Sequence, residues 1–521
     1  MRIGIAVLLG LVILTIAADV IVHRAEPILR SRVVQTLSTR FGSRVELDRL
    51  NVSVTHGLAV SGEGLRIFPL PEVMAAGPAQ PLIAIKEFSF HAGLAGLLFE
   101  PVRVESVNVS GLRISIPPRQ ARQQAPKERK RVGKLNIQVN EIVCDDSQII
   151  IQTADPNKDP KVFELRHIVL RDLQPAGPAH YDATLINAIP RGDIHATGSF
   201  GPWKADDPGA SPVTGQYTFE HADLDPIKGI AGTLSSRGEF KGQLDRMEVD
   251  GTTRVPNFSL DSARHPMPLY TRFHAIVDGT NGDTDLEPVE ARLEATEFTC
   301  RGAVVAVKGK GHLIDLTADI PSGRLQDFLQ LAVETQPVVM VAAISSKSRL
   351  RIDPGQADIL QRLHIKGDFK LTQIHFTNPA VQDKVDMLTK RAEGKPEQAH
   401  PGAEDVTSRM TGAYTMDRGE LRFRNLRYNL PGATVTLQGV YSADGKEFDF
   451  RGKVRTEAKI SQMVASRWKS WLLKVVDPFF SKNGAGAVIP VKITGTNTAP
   501  KFGLDLGHHG DDEDAPQKPG K

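Results

Sequence analysis

Cysteine is nearly missing from this chain: Cys144 and Cys300 are the only two among 521 residues. That excludes a disulfide framework and a four-cysteine zinc site. The two could form one disulfide closing a very long loop, but their separation in sequence gives no reason to expect them to meet, so two buried free thiols are the expectation. Sparing use of thiols suits an oxidising compartment. An excess of charge of one sign is missing as well. Sixty-four Lys and Arg against 61 Asp and Glu leave a net charge of +3, which argues against a dedicated nucleic-acid binder. Catalytic signatures are absent too: the chain has no GxSxG, CxxC or HExxH, and no glycine-rich phosphate loop after a strand. Gly309-Lys310-Gly311-His312 lacks P-loop spacing. The 15 histidines fall without metal-ligand spacing, and the pairs Asp145-Asp146 and Asp206-Asp207 sit in polar, turn-like stretches where Asp is at home. No enzyme activity, cofactor or metal is expected.

Long hydrophobic runs are lacking with one exception. Residues 3–22, interrupted only by Asp19, match the ~20 residues a helix needs to cross bilayer hydrocarbon. Residues 1–23 are therefore expected to be a single transmembrane anchor, with everything after about residue 23 on the far side. A cleaved signal peptide is the alternative, but Ile16-Ala17-Ala18 is a poor cleavage site. Arg24, Arg30 and Arg32 after the span outnumber Arg2 before it, against the positive-inside rule. The minimal leading tail nevertheless fits a signal-anchor.

What is plentiful is turn chemistry and alternation. Forty-five glycines and 34 prolines suit many short strands. Behind the span, residues 24–42 read as a helix (Arg24–Phe41), with Pro27 near its start and Gly42 as its C-cap. From there the apolar period changes from 3.6 to 2: Val45 and Leu47, Val52 and Val54, Val102 and Val104, Leu135 and Ile137, Leu421 and Phe423, Val435 and Leu437. Turn pairs such as Asp278-Gly279, Asn281-Gly282 and Asp444-Gly445 separate some of these runs. Further helices are expected only at Ser322–Ala332, Pro379–Ala392 and Ile460–Phe480. Linkers stand out at Pro71–Pro81, Pro156–Pro160, Pro202–Pro212 and Gly394–Glu404. The basic cluster from Arg119 to Lys134 reads as a solvated loop, with contact to anionic headgroups as the functional alternative. The organisation is thus a β region over 43–320, a helix with connecting strands over 321–363, a C-terminal region over 364–506, and a polar, disordered tail over 507–521. His508-His509 in that tail lacks the support a metal site needs.

In Ile460–Phe480, Trp468, Leu472, Val475 and Phe479 recur at helical spacing and make one apolar stripe. With Trp471 beside them, they read as a cap over the end of the sheet or as a helix docking on a membrane or partner. The fold expected is mainly β, and two dozen alternating strands with so few helices leave two architectures open. Consecutive β-sandwiches would let sheets cover each other. One elongated, curved antiparallel sheet would instead keep an apolar groove lined by something else, such as an acyl chain. The residues alone lean to sandwiches.

Both ends of the chain resemble AsmA-like proteins. At the front the likeness lies in the span, the helix ending in Phe41-Gly42-Ser43-Arg44-Val45, and strands through Gly57-Leu58 and Gly64-Leu65-Arg66-Ile67. At the back it lies in Gly367-Asp368-Phe369-Lys370-Leu371, the helix from Asn378, and Arg418-Gly419-Glu420-Leu421-Arg422-Phe423. It continues in Pro431-Gly432-Ala433, Leu437-Gln438-Gly439, and the closing Ile493-Thr494-Gly495 and Ala499-Pro500-Lys501-Phe502. The resemblance implies a protein of the bridge-like lipid-transfer type, held in the inner membrane with its bulk in the periplasm. It further implies a β-groove that shelters phospholipid acyl chains and supports their transport to the outer membrane, with a periplasmic or outer-membrane protein as partner. A non-catalytic assembly or regulatory role in outer-membrane biogenesis is the alternative. Candidate groove residues are Val102, Val104, Leu135, Ile137, Leu421, Phe423, Val435 and Leu437. Trp468, Trp471, Leu472, Val475 and Phe479 are the candidates for docking on a membrane or partner.

Overall fold

The strands join edge to edge into one sheet. In the computed structural model the described residues are 30–38 in part, 44–53, 58–68, 81–92, 102–116, 137–152, 157, 160–173, 177–187, 190–202, 208–399 apart from 262 and 335, 408–442, 447–463, 486–496 and 499–505. They are mainly β, with 26 strands in a single sheet. From Lys161–Leu173 onward nearly every strand pairs antiparallel with its neighbour in sequence, down to Pro500–Leu504 at the C-terminal edge. Consecutive sandwiches, which need two sheets face to face, are not what these residues form.

Two pairings, both with one strand, depart from the expected antiparallel order. Val102–Ser110 and Arg113–Ile116 both run parallel to Ile137–Ile151, so the sheet is mixed. A parallel neighbour requires the chain to travel back along the strand before pairing. The sequence between Ile116 and Ile137 is long enough for that return, where a two-residue turn is not.

Apolar alternation is not kept by strict parity along the strands. In Glu420–Leu430 it runs through Leu421 and Phe423, then through Leu426, Tyr428 and Leu430, because the register shifts between Phe423 and Leu426. Similar shifts occur at Val255/Phe258, Leu286/Val289, Ile320/Gly323 and Thr411/Tyr414. Each is a bulge, and a bulge bends its strand and deepens the local twist. It also carries the apolar set across a change of parity that would otherwise turn it to the other face.

Among the described residues helices are few, and two of the three α-helices that connect strands stand at one rim. Leu325–Ala332 and Pro379–Ala392 occupy connections at the same ends of the strands; a single turn, Ile359–Arg362, stands at the opposite ends. Pro379–Ala392 has its expected bounds: Asn378 accepts a hydrogen bond from the Ala380 N–H, and Pro379 opens the first turn. The other expected helix is shorter than Ser322–Ala332, because the strand Gly311–Arg324 runs on through Ser322. Of Ile460–Phe480, only the 3-10 turn Ile460–Met463 is described. Residues 30, 31, 33–35, 37 and 38 are helical, within the expected first helix. The expected span lies outside the described residues, as do Leu135 and the 507–521 tail. Among the described residues no helix is long and apolar enough to cross a membrane.

The main hydrophobic core sits near the C-terminal end. Leu371, Ile374, Met410, Leu426, Tyr428, Leu430, Ala433, Val435, Leu437 and Val454 are buried together with Ala392, and Val385 and Leu388 of the same helix pack against them. A smaller buried set, Val45, Leu47, Leu50 and Ile67, lies at the other end of the sheet.

Candidate apolar face

Strand register places one row of residues across almost the whole sheet. It starts at Leu50 opposite Gly62, Gly62 opposite Phe88, and Phe88 opposite Val109. It continues through Cys144, Ile168, Ala183, Ala196 and Tyr217, then Gly238, Gly251, Phe273, Val289 and Cys300. Ala318, Ser348, Gly367, Tyr414 and Phe423 follow, and Gly439, Phe450, Ile493 and Phe502 close it. No member is charged. Successive side chains of a strand point to opposite faces, so this row and its second neighbours define one face of the sheet.

The adjacent row, one residue over, lies on the other face and has the opposite character. Through the same registers it reads Arg49, Glu63, Glu87, Ser110, Asp145, His167, Thr184, His195, Thr218 and Arg237, then Thr252, Arg272, Glu290, Thr299, Asp319, Lys347 and Asp368. Cross-strand pairs stitch it, including His167–Asp145 at 2.7 Å and Lys347–Asp319 at 3.2 Å. Arg349–Asp315 at 2.6 Å, on a parallel row, holds the Asp315 carboxyl below its ordinary value. Such exposed pairs add little stability each, but they fix which face meets water.

On the uncharged face, rings lie over glycines. At Gly251 a Cβ would fall 2.7 Å from Phe273 Cζ and 2.8 Å from Tyr217 Oη, so both rings rest on backbone that only glycine leaves bare. Gly62 beneath Phe88 and Gly412 beneath Phe369 repeat the arrangement. Toward the C-terminal end the rings touch one another. Phe369–Tyr414, Phe369–Phe423, Phe423–Phe450, Phe448–Phe450 and Tyr441–Phe448 have centroids 5.8–6.3 Å apart, within the range of favourable aromatic contact. The polar atoms on this face are mostly hydroxyls that bond among themselves or to backbone. Tyr217 Oη lies 3.1 Å from Ser236 Oγ, and Ser348 Oγ lies 2.7 Å from Tyr414 Oη. Burial pushes the Tyr181 phenol up to about 12 and raises Tyr217 as well, although its Ser236 bond opposes the shift.

Of the expected groove residues, Leu421 and Phe423 lie half-buried on this face, whereas Val435 and Leu437, also on it, are buried in the helix-covered core. Val104 is buried opposite Val139, and Val102 pairs in register with Ile137. Trp468, Trp471, Leu472, Val475 and Phe479 lie outside the described residues. Sequence reading missed the central residues Tyr217, Val249, Phe273 and Val289. Their signal was present as apolar residues alternating with Arg, Glu and Thr, yet only the register shows them meeting. Both cysteines are free and stand on the uncharged row. Burial, then the charge of Asp145, pushes the Cys144 thiol up to about 11, and burial raises Cys300. Among the described residues no three His, Cys, Asp or Glu side chains converge to hold a metal. Compared with known proteins, the chain matches no family model, no curated protein and no solved structure.

Proposed function

We propose that this is a membrane-anchored periplasmic protein whose curved sheet forms a groove for lipid acyl chains and so supports phospholipid movement between inner and outer membranes. The carrying observation is the unbroken uncharged row from Leu50 to Phe502 beside a charged row one residue away. Water is the natural medium for the charged face. Along the strand centres in the middle of the sheet the uncharged face is only half-buried, at Tyr217, Val249, Phe273 and Val289; toward the rim that carries Leu325–Ala332, Ala275, Ala291 and Leu293 are buried and Phe298 meets Phe328 of that helix. An acyl chain laid there gains about 0.8 kcal/mol for each CH₂ removed from water. Glycine-seated rings make a smooth floor without fixed polar contacts, which suits a cargo that has to slide. The bulges supply the bending a groove requires. The likeness of both chain ends to AsmA-like proteins supports the membrane and periplasmic setting.

The test is lipid content. The full chain, purified in mild detergent, should carry phospholipid detectable by mass spectrometry. Phe273→Arg with Val289→Arg should leave the far-UV circular dichroism unchanged while removing most of that lipid. A folded wild-type protein free of lipid would overturn the reading and leave an assembly role without conduction.

A further inference from the structure

Two contacts join opposite rims of the sheet. The turn between Pro212–Asp223 and Thr233–Gln243 lies at one rim; the turn between Met340–Ile352 and Leu363–Phe376 lies at the other. Seven strands, from Thr233–Gln243 to Met340–Ile352, separate these turns along the sheet. Yet the Ile359 N–H donates to the Lys228 C=O at 3.2 Å. Nearer the N-terminus the pattern recurs: the Lys308 N–H donates to the Asn157 C=O, again joining a turn at the first rim to a later turn at the second.

The first contact is built on both sides. Gly229 has a φ of 104°, and a Cβ there would fall 2.8 Å from Ile359 Cβ, so only glycine admits this approach. Asp261 Oδ2 accepts from the Gly229 N–H at 2.9 Å, and the Asp261 N–H donates to the Gly229 C=O at 3.2 Å. On the other rim Asp358 Oδ1 accepts from the Leu360 N–H at 2.8 Å and starts the single helical turn that presents Ile359. Sheet twist accounts for the meeting. About 20–25° per strand accumulates to roughly half a turn over seven strands, which turns opposite rims to the same side, and the bending at the bulges between them brings the two together.

Resting on the groove reading, we propose that these two contacts are clasps that roof the central groove, so that a lipid enters and leaves this stretch only at its ends. The seam is tested without reference to lipid. In full-length protein carrying Cys144→Ser and Cys300→Ser, the pair Lys228→Cys with Ile359→Cys, and separately Asn157→Cys with Lys308→Cys, should cross-link on mild oxidation, whereas each single variant should not. Adding Gly229→Ala should lower the first cross-link and spare the second. Transfer of a fluorescent phosphatidylethanolamine between phosphatidylcholine vesicles should then proceed within about twofold of the reduced rate when both clasps are locked, since no opening step is needed. Failure of both cross-links in folded protein overturns the seam. Cross-linking with loss of transfer shows that the rims must part and overturns end-on passage. Intact cross-links in a protein that never carries lipid leave the seam standing and overturn the groove reading instead.

Discussion

The middle of the sheet and its C-terminal end present the same uncharged face, but they treat it differently. Near the C-terminus the helix Pro379–Ala392 lies against it, and Tyr428, Leu430, Val435 and Leu437 are at most 8% exposed. In the middle, the helix Leu325–Ala332 reaches that face only toward one rim, where Phe328 meets Phe298, and Tyr217, Val249, Phe273 and Val289 stay half-buried. Composition does not separate the regions, since both alternate apolar and polar residues; the cover does. An uncovered apolar face forgoes part of its hydrophobic stabilisation, about 25 cal/mol for each Å² left in water. A protein that keeps one over many strands has given up stability there while securing it at the C-terminal core. This is the division expected of a firm end beside a working surface whose side chains are left without packed cover.

The largest effect that can break this comparison comes from placing a charge on each region. Val435→Asp buries a carboxylate in the helix-covered core and should cost about 4 kcal/mol or more, since the charge finds neither water nor a partner. Val249→Asp puts the same group on the uncovered face, where water reaches it, and should cost ~1–2 kcal/mol. Urea denaturation of the two variants measures the difference. Equal losses would mean that the central face is covered in solution, and the contrast would fail.

A middle-sized effect comes from thinning the cover. Leu388 packs against the core from the helix, and Leu388→Ala should cost about 2 kcal/mol. On the proposed reading lipid content should not fall, because the helix faces the core and not the central stretch of the uncharged face. A parallel loss of lipid in folded protein would join the two regions into one functional unit.

How much of this was legible beforehand depended on range. The helix Pro379–Ala392 could be read residue by residue because its signals are local: Asn378 caps it, Pro379 opens it, and Lys390 and Arg391 end it. The strand character was equally plain from alternation. Three things were not legible, and all are non-local. Bulges such as that between Phe423 and Leu426 change the parity of the apolar set, so alternation alone cannot follow one face along a strand. The parallel pairing of Val102–Ser110 with Ile137–Ile151 joins strands far apart in sequence, and alternation carries no sign of strand direction. The choice between sandwiches and a single sheet depends on which strands meet, and alternation is the same in both. Val435 and Leu437 show the consequence: their pattern marks an apolar face, but only the fold shows that a helix closes over it.

The cysteines sharpen the comparison along the row. Cys144 is 2% exposed and its thiol is pushed up to about 11, which leaves about one thiolate in a thousand at pH 8. Cys300, in the central stretch, is less buried, and its thiol is raised by burial alone. Iodoacetamide at pH 8 should therefore label Cys300 faster than Cys144 in native protein, and both at similar, much higher rates in urea. Quantitative mass spectrometry of the two peptides reads the ratio. Faster labelling of Cys144 would place the accessible stretch of the row at the wrong end.

The smallest effect concerns the charged face that opposes both regions. Arg349 holds the Asp315 carboxyl below its ordinary value of 3.8, chiefly through the side-chain hydrogen bonds. A carboxylate depressed in the folded state stabilises the fold above its unfolded value, and that contribution fades as pH falls through the folded one. The loss should therefore begin near pH 4 and be complete only well below it. The Asp315 side chain is 28% exposed and that of Arg349 69%, so solvent screening keeps the contribution below about 1 kcal/mol. Urea midpoints of the wild type and Asp315→Asn at pH 7 and pH 3 give the test. The two proteins should differ slightly at pH 7 and by less at pH 3. A gap that widens on acidification would mean that the pair works against the fold, and that the charged face is tuned for something other than meeting water.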